Sequence, residues 1–557
     1  MPPILQHLSV VELSRVEEDE SGFRSLWLDD SVGEAVELLS GQEHLHLFVG
    51  AGVSQEAGLP SWSELLDELL RRTALSSDPF RTKAEELDRG GADEHEVATA
   101  LASDAASYSR WAIASHGLLG AAAVVKAWLG DGDYRRVVQD ALYAPMIQSR
   151  LPFQPGPTAI AIAALWRRVG PSRMSVVTTN YDRMLERALV EIGVDETEIR
   201  SAPVGGDRDS RTYNVIHLHG VLPEPQLTEQ SDIAQPIVLA EDEFFGGGAD
   251  ARMRSRLCES ALTSDSCLFV GTSFTDPNLL GYLYAVARRE RYDHKHVAIV
   301  VKQGEQPPQV DAGRTVLTLG RQTAAARLDR INVMTVQPSF FSQTAHVLGE
   351  IEPSVEGHTG FLDRLDRWSL AARSTGLLPG VPAAFDSRQS ALQRALSVAV
   401  DQIHEAFMAV PSMRCDGEVL SLHLWAHDPF DSSIVFIARS DQHFMAPELL
   451  EREPIAMPIR RLVVESVCSG TVLEASGGAL DSSRWNSMLV VPLSASLFST
   501  RPGAPTIPIG ALVLASSAEV ARGLSRLRTA PDARHHLVRS LAQVGELMLQ
   551  AEVNRDV

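Results

Sequence analysis

Short apolar runs recur along the first 350 residues, and each gives way to glycine or to small polar residues. The runs at 45–49, 175–179, 215–219, 267–271, 297–301 and 331–336 are too short for helices and rich in β-branched and aromatic residues. They predict buried strands. Between several of them the apolar positions recur at helical spacing, as over 158–168 and 183–191. Strands alternating with helices predict a parallel sheet. The stretch 62–170 is mostly helical in pattern, with Ala-rich parts at 96–106 and 118–129. It reads as an insertion between the first strand and the second. Residues 1–30 hold one apolar stretch and an acidic patch, and read as an arm.

The grammar changes near residue 352. Pro353, Gly357, Gly360, Gly376, Pro379, Gly380 and Pro382 punctuate 352–386, which reads as a linker interrupted by a short amphipathic helix at 362–372. Residues 387–557 then predict a helix at 390–408, strands at 419–426 and 433–438, a short helix at 459–469, strands at 487–493 and 507–515, and a long helix at 530–553. The last helix carries an apolar stripe of Leu537, Leu541, Val544, Leu547, Met548 and Ala551. Such a stripe docks on its own sheet or pairs with a second chain.

Composition narrows the class. At 557 residues the chain is long enough for two to four domains. No apolar run reaches the roughly 18 residues needed to cross a bilayer, no signal peptide is evident, and the four cysteines are scattered, which together predict a cytoplasmic protein with no membrane partner. A net charge of -22 argues against a nonspecific nucleic-acid surface.

Four segments carry candidate chemistry. The first run ends in Gly50-Ala51-Gly52, followed by Val53 and Ser54. A strand feeding a glycine turn and a helix start favours an anion, and in an open α/β sheet the natural cargo is the pyrophosphate of a dinucleotide. The second run ends in Thr178-Thr179-Asn180-Tyr181-Asp182. Helix capping accounts for one of Asn180 and Asp182, but less well for two threonines, an amide and a carboxylate together. The third, His217-Leu218-His219-Gly220, alternates, so both histidines are expected on one face, with His219 nearer the strand end and better placed for acid–base work. The fourth runs Gly271-Thr272-Ser273-Phe274-Thr275-Asp276-Pro277-Asn278. Its hydroxyls suit a phosphate or ribose, and Asp276 or Asn278 equally suits a helix cap.

In order and rough spacing, GAGVS, TTNYD, HLHG and GTSFTDPN resemble the sirtuin family over about residues 30–345. There are departures. Ser61-Trp62-Ser63 stands where sirtuin deacylases carry Phe-Arg, Tyr181 replaces an aliphatic residue, and no C-x-x-C pair exists to build a zinc ribbon. No metal is expected. With these departures the chain resembles the sirtuin-like effectors of bacterial anti-phage defence, which cleave NAD without an acyl-lysine substrate. The resemblance implies a Rossmann-like catalytic domain over 31–351 and NAD as substrate. Catalytic roles fall to Asn180, Asp182 and His219. Gly50, Ala51, Gly52, Ser54 and Thr179, with Gly271, Thr272, Ser273, Asp276 and Asn278, would hold the dinucleotide. The expected activity is an NAD glycohydrolase that yields ADP-ribose and nicotinamide, with cyclisation as another outcome. A sirtuin-type deacylase or ADP-ribosyltransferase, and a non-catalytic nucleotide sensor, are the alternatives. Residues 387–557 resemble a GAF domain, most closely in MLVVPLS and IPIGALVLAS. That implies a sensor or oligomerisation unit, with a homo-oligomer and a phage-derived or small-molecule activator as partners.

Overall fold

In a computed structural model, the structure describes residues 31–40, 42–149, 154–203, 211–225, 237–240, 242–243, 249–274, 276–289, 295–301, 326–338, 343–354, 372–373, 377–378, 382–428, 433–444, 446–454, 461–477, 484–495, 507–518 and 523–549. The arm at 1–30 and most of the linker lie outside these residues.

The elements of the first unit run in chain order as follows: α1 (Ser31–Ser40), β1 (Leu45–Val49), α2 (Gly52–Gln55), α3 (Trp62–Leu75), α4 (Asp78–Arg89), α5 (Glu94–Ser149), α6 (Pro157–Val169), β2 (Met174–Thr178), α7 (Met184–Glu191), β3 (Ile199–Pro203), β4 (Tyr213–His217), α8 (Ala249–Ser264), β5 (Cys267–Val270), α9 (Pro277–Ala287), β6 (His296–Ile299), β7 (Val333–Val336) and α10 (Gln343–Ser354). The strands form one sheet in the order β3-β4-β2-β1-β5-β6-β7, and every pair is parallel. This is a Rossmann-like α/β sheet. Six of the strands are buried along almost their whole length, β5 and β6 at every position, which suits a sheet covered on both faces. The chain reverses its direction of growth at β1, going to β2 on one side and later to β5 on the other. In open α/β sheets that switch point opens the ligand crevice at the carboxyl ends of the strands.

The insertion at 62–170 is helical, as its pattern predicts. α3 begins in a reciprocal cap: Ser61 Oγ accepts the Glu64 N–H over 3.3 Å and Glu64 Oε2 accepts the Ser61 N–H over 2.7 Å. Ser61 therefore has a structural reason to stand in the motif. α5 is not one rod. Gly117 (φ 67°) and Gly130 (φ 65°) leave the helical region and divide it into 94–116, 118–129 and 131–149. The stretch Glu94–Gly130 is, contrary to the sequence expectation, long and apolar enough to cross a membrane by length and composition, although Gly117 interrupts it.

The C-terminal unit comprises α11 (Pro382–Ala409), β8 (Leu420–Asp428), β9 (Ser433–Arg439), β10 (Arg452–Pro454), α12 (Leu462–Ser469), β11 (Leu473–Ser476), β12 (Ser487–Ala495), β13 (Ile507–Ser516) and α13 (Pro531–Leu549). Its sheet is antiparallel throughout, in the order β10-β9-β8-β13-β12-β11. Its core includes Ala372, Leu377 and Leu378, all fully buried, so the end of the stretch read as linker packs with this unit. Arg373 reinforces the attachment through both oxygens of buried Asp428, at 2.6 Å each. In α13, Leu541 and Met548 are buried in the same core, with Leu537 and Val544 packed against it. Among the described residues of the stripe, which thus docks on its own sheet, Leu547 alone stays exposed, and Ala551 lies outside the described residues.

Candidate active site

The turn after β1 and the turn after β5 cross in direct backbone contact. Gly50 N–H donates to Val270 O over 2.9 Å, and Gly52 N–H to Gly271 O over 3.0 Å. A Cβ on Gly50 would lie 2.5 Å from Gly271 O, and one on Gly271, whose φ is +66°, would lie 2.7 Å from Val53 N. Glycine at Gly50 and Gly271 therefore follows from packing between the two turns, without reference to a ligand. The Val53 and Ser54 N–H groups are also engaged inside the turn. In the turn expected to hold a pyrophosphate, the N–H groups of Gly50, Gly52 and Ser54 are thus met by protein carbonyls.

Asn180 sits beyond the end of β2, 7% exposed. Its Nδ2 donates to Gly50 O over 3.1 Å and to Ser54 Oγ over 3.0 Å. Its backbone N–H is held by Thr178 Oγ1 at 3.0 Å. Ser54 Oγ in turn donates to Asp182 Oδ1 over 2.9 Å, and the same oxygen accepts the Met184 N–H at 3.0 Å, capping α7. Burial pushes the Asp182 carboxyl above its ordinary range, and these two donors only partly offset it. With both protons of its amide group committed, Asn180 keeps a buried oxygen, Oδ1, that no protein donor meets. A buried amide oxygen without a donor is costly unless a ligand or water supplies one.

The two histidines separate. β4 ends at His217, and His219 lies in the turn that follows, so the strand alternation expected to link them stops short. His217 is buried among protein groups: one ring nitrogen meets Asn180 O at 2.9 Å and the other Glu186 Oε1 at 3.0 Å. Burial opposes its charge, but the Glu186 carboxylate and the Asn180 carbonyl outweigh it and raise its pKa. Glu186 moves the opposite way: burial alone would raise it, and His217 holds it below its usual range. His219 Nε2 instead faces Asp276 Oδ2 at 2.9 Å. Asp276, expected at the dinucleotide, also accepts the Leu279 N–H through Oδ1 at 3.2 Å and so caps α9.

The remaining expected residues surround this group. Thr179 N–H donates to Val49 O at 3.1 Å. Thr272 is half-buried, Ser273 is exposed, and the side chain of Asn278 lies outside the described residues. Tyr181 donates to Val238 O at 2.6 Å, and Val238 N–H to His219 O at 2.9 Å. The last part of α5 grips the segment behind His219: Arg135, Gln139 and Tyr143 donate to the carbonyls of Val221, Pro223 and Leu222 at 2.6, 2.6 and 2.7 Å. Sequence reasoning missed this row, although its spacing of four residues is the signal of one helix face. It also missed Glu56, which follows the glycine turn and accepts both the N–H and the hydroxyl of Thr158 at 2.7 and 2.8 Å. Burial raises Glu56 to about 8. Among the described residues, no three His, Cys, Asp or Glu side chains are grouped as a metal site.

Residues 174–317 match the family described as a SIR2-like domain. The NAD(+) hydrolase ThsA of Bacillus cereus (strain MSX-D12) is 25% identical over 343 residues, which cover 60% of this chain and 59% of ThsA. Among solved structures, a Sir2 homologue in complex with NAD aligns with 16% identity and a TM-score of 0.29, covering 58% of this chain and 95% of that one. A Sir2 homologue mutant in complex with 2'-O-acetyl ADP ribose aligns with 15% identity and a TM-score of 0.28, covering 59% and 98%.

Proposed function

We propose that this chain is an NAD glycohydrolase, converting NAD+ and water to ADP-ribose, nicotinamide and a proton. The observation that carries this reading is the buried Oδ1 of Asn180, left without a protein donor where the β1 and β2 turns meet at the switch point of the sheet. A ribose hydroxyl or the attacking water would supply that donor. Asp182, fixed by Ser54, would orient the carboxamide or the water, and His219 would take the proton. The β1 turn, through Gly50, Ala51, Gly52 and Ser54, would lie along the pyrophosphate, with Thr179 beside the ribose. Gly271, Thr272, Ser273 and Asn278 would hold the adenosine half. The similarity to an NAD(+) hydrolase supports the same substrate.

In this reading the enzyme is a cytoplasmic effector of anti-phage defence. Unchecked NAD cleavage would kill the cell that makes it, so activity has to be restrained. The C-terminal unit, as a GAF-like sensor or assembly domain, is the proposed restraint, acting in a homo-oligomer that answers a phage-derived or small-molecule activator. The test is to incubate the purified full-length protein with NAD, with and without phage lysate, and to resolve the products by chromatography. Release of nicotinamide with ADP-ribose supports the reading. Intact NAD under both conditions defeats it.

A further inference from the structure

Asp276 joins two structures with one carboxylate. Oδ1 takes the Leu279 N–H in the first turn of α9, and Oδ2 lies 2.9 Å from His219 Nε2. An ionised carboxylate only accepts hydrogen bonds, so the ring nitrogen facing it has to carry the proton. The imidazole side chain is 8% exposed, and its main chain is pinned through Val238 N–H to His219 O at 2.9 Å. Asp276 itself is anchored by the helix it caps. We propose that Asp276 is a positioning residue that fixes the proton of His219 on Nε2 and leaves Nδ1 as the nitrogen that accepts a proton in turnover.

The first half of this inference concerns the resting protein alone. The second half rests on the NAD-cleaving reading. There the bond from the ribosyl carbon to nicotinamide breaks, and its electron pair stays on the nicotinamide nitrogen. Water forms the new bond to that carbon and gives one proton to Nδ1. The imidazolium keeps Nε2–H on the Asp276 carboxylate until the Nδ1 proton leaves to solvent. A carboxylate in that place stabilises the charge that develops on the ring.

Asp276→Asn is the informative change. The Leu279 N–H still requires an acceptor, so the amide oxygen stays on it and the amide NH2 is turned toward His219. A donor facing Nε2 forces that nitrogen to accept and moves the ring proton to Nδ1. Full-length protein with 15N-labelled histidine would be measured near pH 8.5, and the His219 signals identified by their loss in His219→Gln. Wild type is expected to show a protonated-type Nε2 and an unprotonated Nδ1, and Asp276→Asn the reverse. Turnover should fall by a factor on the order of 10² or more, with KM for NAD within about threefold. Asp276→Ser, which keeps a capping oxygen but withdraws the carboxylate from the ring, guards against a folding defect in the first variant. It should retain the wild-type unfolding midpoint within a few degrees and lose the single-tautomer signature.

The same tautomer in wild type and both variants overturns the proposal. So does undiminished turnover with the tautomer reversed. A rise in turnover would make Asp276 an inhibitory contact and also overturn it. Reversal of the tautomer in a protein that never cleaves NAD would uphold the placement of the proton while removing the proposed reaction, so the two failures are distinguishable.

Discussion

The hydroxyl of Ser54 donates to Oδ1 of Asp182 over 2.9 Å, and so ties the glycine turn after β1 to the polar turn after β2. The same hydroxyl oxygen accepts from Asn180 Nδ2 at 3.0 Å. One small side chain therefore sets the orientation of both the amide and the carboxylate. Ser54→Ala should leave a buried donor on Asn180 and deprive Asp182 of a hydrogen bond, at a cost of about 1–3 kcal/mol. Denaturant unfolding would measure that loss. NAD cleavage should fall with it, but less far than in Asn180→Ala, which removes the buried oxygen that no protein donor meets and should abolish turnover in a folded protein. Near-normal cleavage by Asn180→Ala would mean that the site is elsewhere.

His217 and His219 should fail in different ways. His217 is enclosed between Asn180 O and the buried Glu186 carboxylate, which also receives the Ser201 hydroxyl. Removing the imidazole strands a buried charge, for which about 3–5 kcal/mol is typical. His217→Ala should therefore unfold at distinctly lower denaturant and keep residual turnover, since Asn180 is still held by Gly50 and Ser54. His219→Ala should be closer to wild type in stability and inactive. Circular dichroism melts and NAD assays on both proteins test the separation. Equal, complete loss of activity in two equally stable variants would contradict it.

The central strands and the four motif segments were legible in the sequence because β1, β2, β4 and β5 are buried on both faces and read as apolar runs. β3 was not. Its sequence Ile199-Arg200-Ser201-Ala202-Pro203 has little apolar alternation, and as an edge strand it tolerates proline. The short strands β10 and β11 escaped for a like reason: both are edges of the second sheet. His219 was placed in a strand because its neighbours alternate, yet strand pairing stops at His217, opposite Thr178 and Pro203. The pairing of His219 with Asp276 spans 57 positions and that of Glu56 with Thr158 spans 102. Contacts of that range leave no local pattern, so the residues could be named as candidates without their partners being known.

The two units have separate cores. The core of the C-terminal unit draws on residues from Ala372 onward, and the cores around the parallel sheet draw on residues up to Ile351. Deleting residues 372–557 should leave a remainder that unfolds cooperatively. If the C-terminal unit restrains or assembles the enzyme, the same deletion should change basal NAD cleavage or the mass in solution. Light scattering and an NAD assay measure both. Identical mass and identical basal and triggered activity would leave that unit without a regulatory role.

Glu56 predicts a pH dependence of stability with a definite sign. Its carboxyl is raised to about 8 in the folded protein by burial, against a reference value of 4.5. Between those two values the folded state binds a proton that the unfolded state has lost, so stability falls as pH rises and the loss is complete above about 8. Each pKa unit corresponds to about 1.4 kcal/mol, so the effect of this one group reaches a few kcal/mol. Glu56→Gln keeps an acceptor for the Thr158 N–H and an NH2 that the Thr158 hydroxyl can accept from, but it cannot ionise. Denaturant midpoints measured from pH 5 to 9 should decline more steeply in wild type than in Glu56→Gln, with the variant the more stable of the two at pH 9. Parallel curves for the two proteins would mean that Glu56 is already ionised at neutral pH, held by the amino-terminal end of α6.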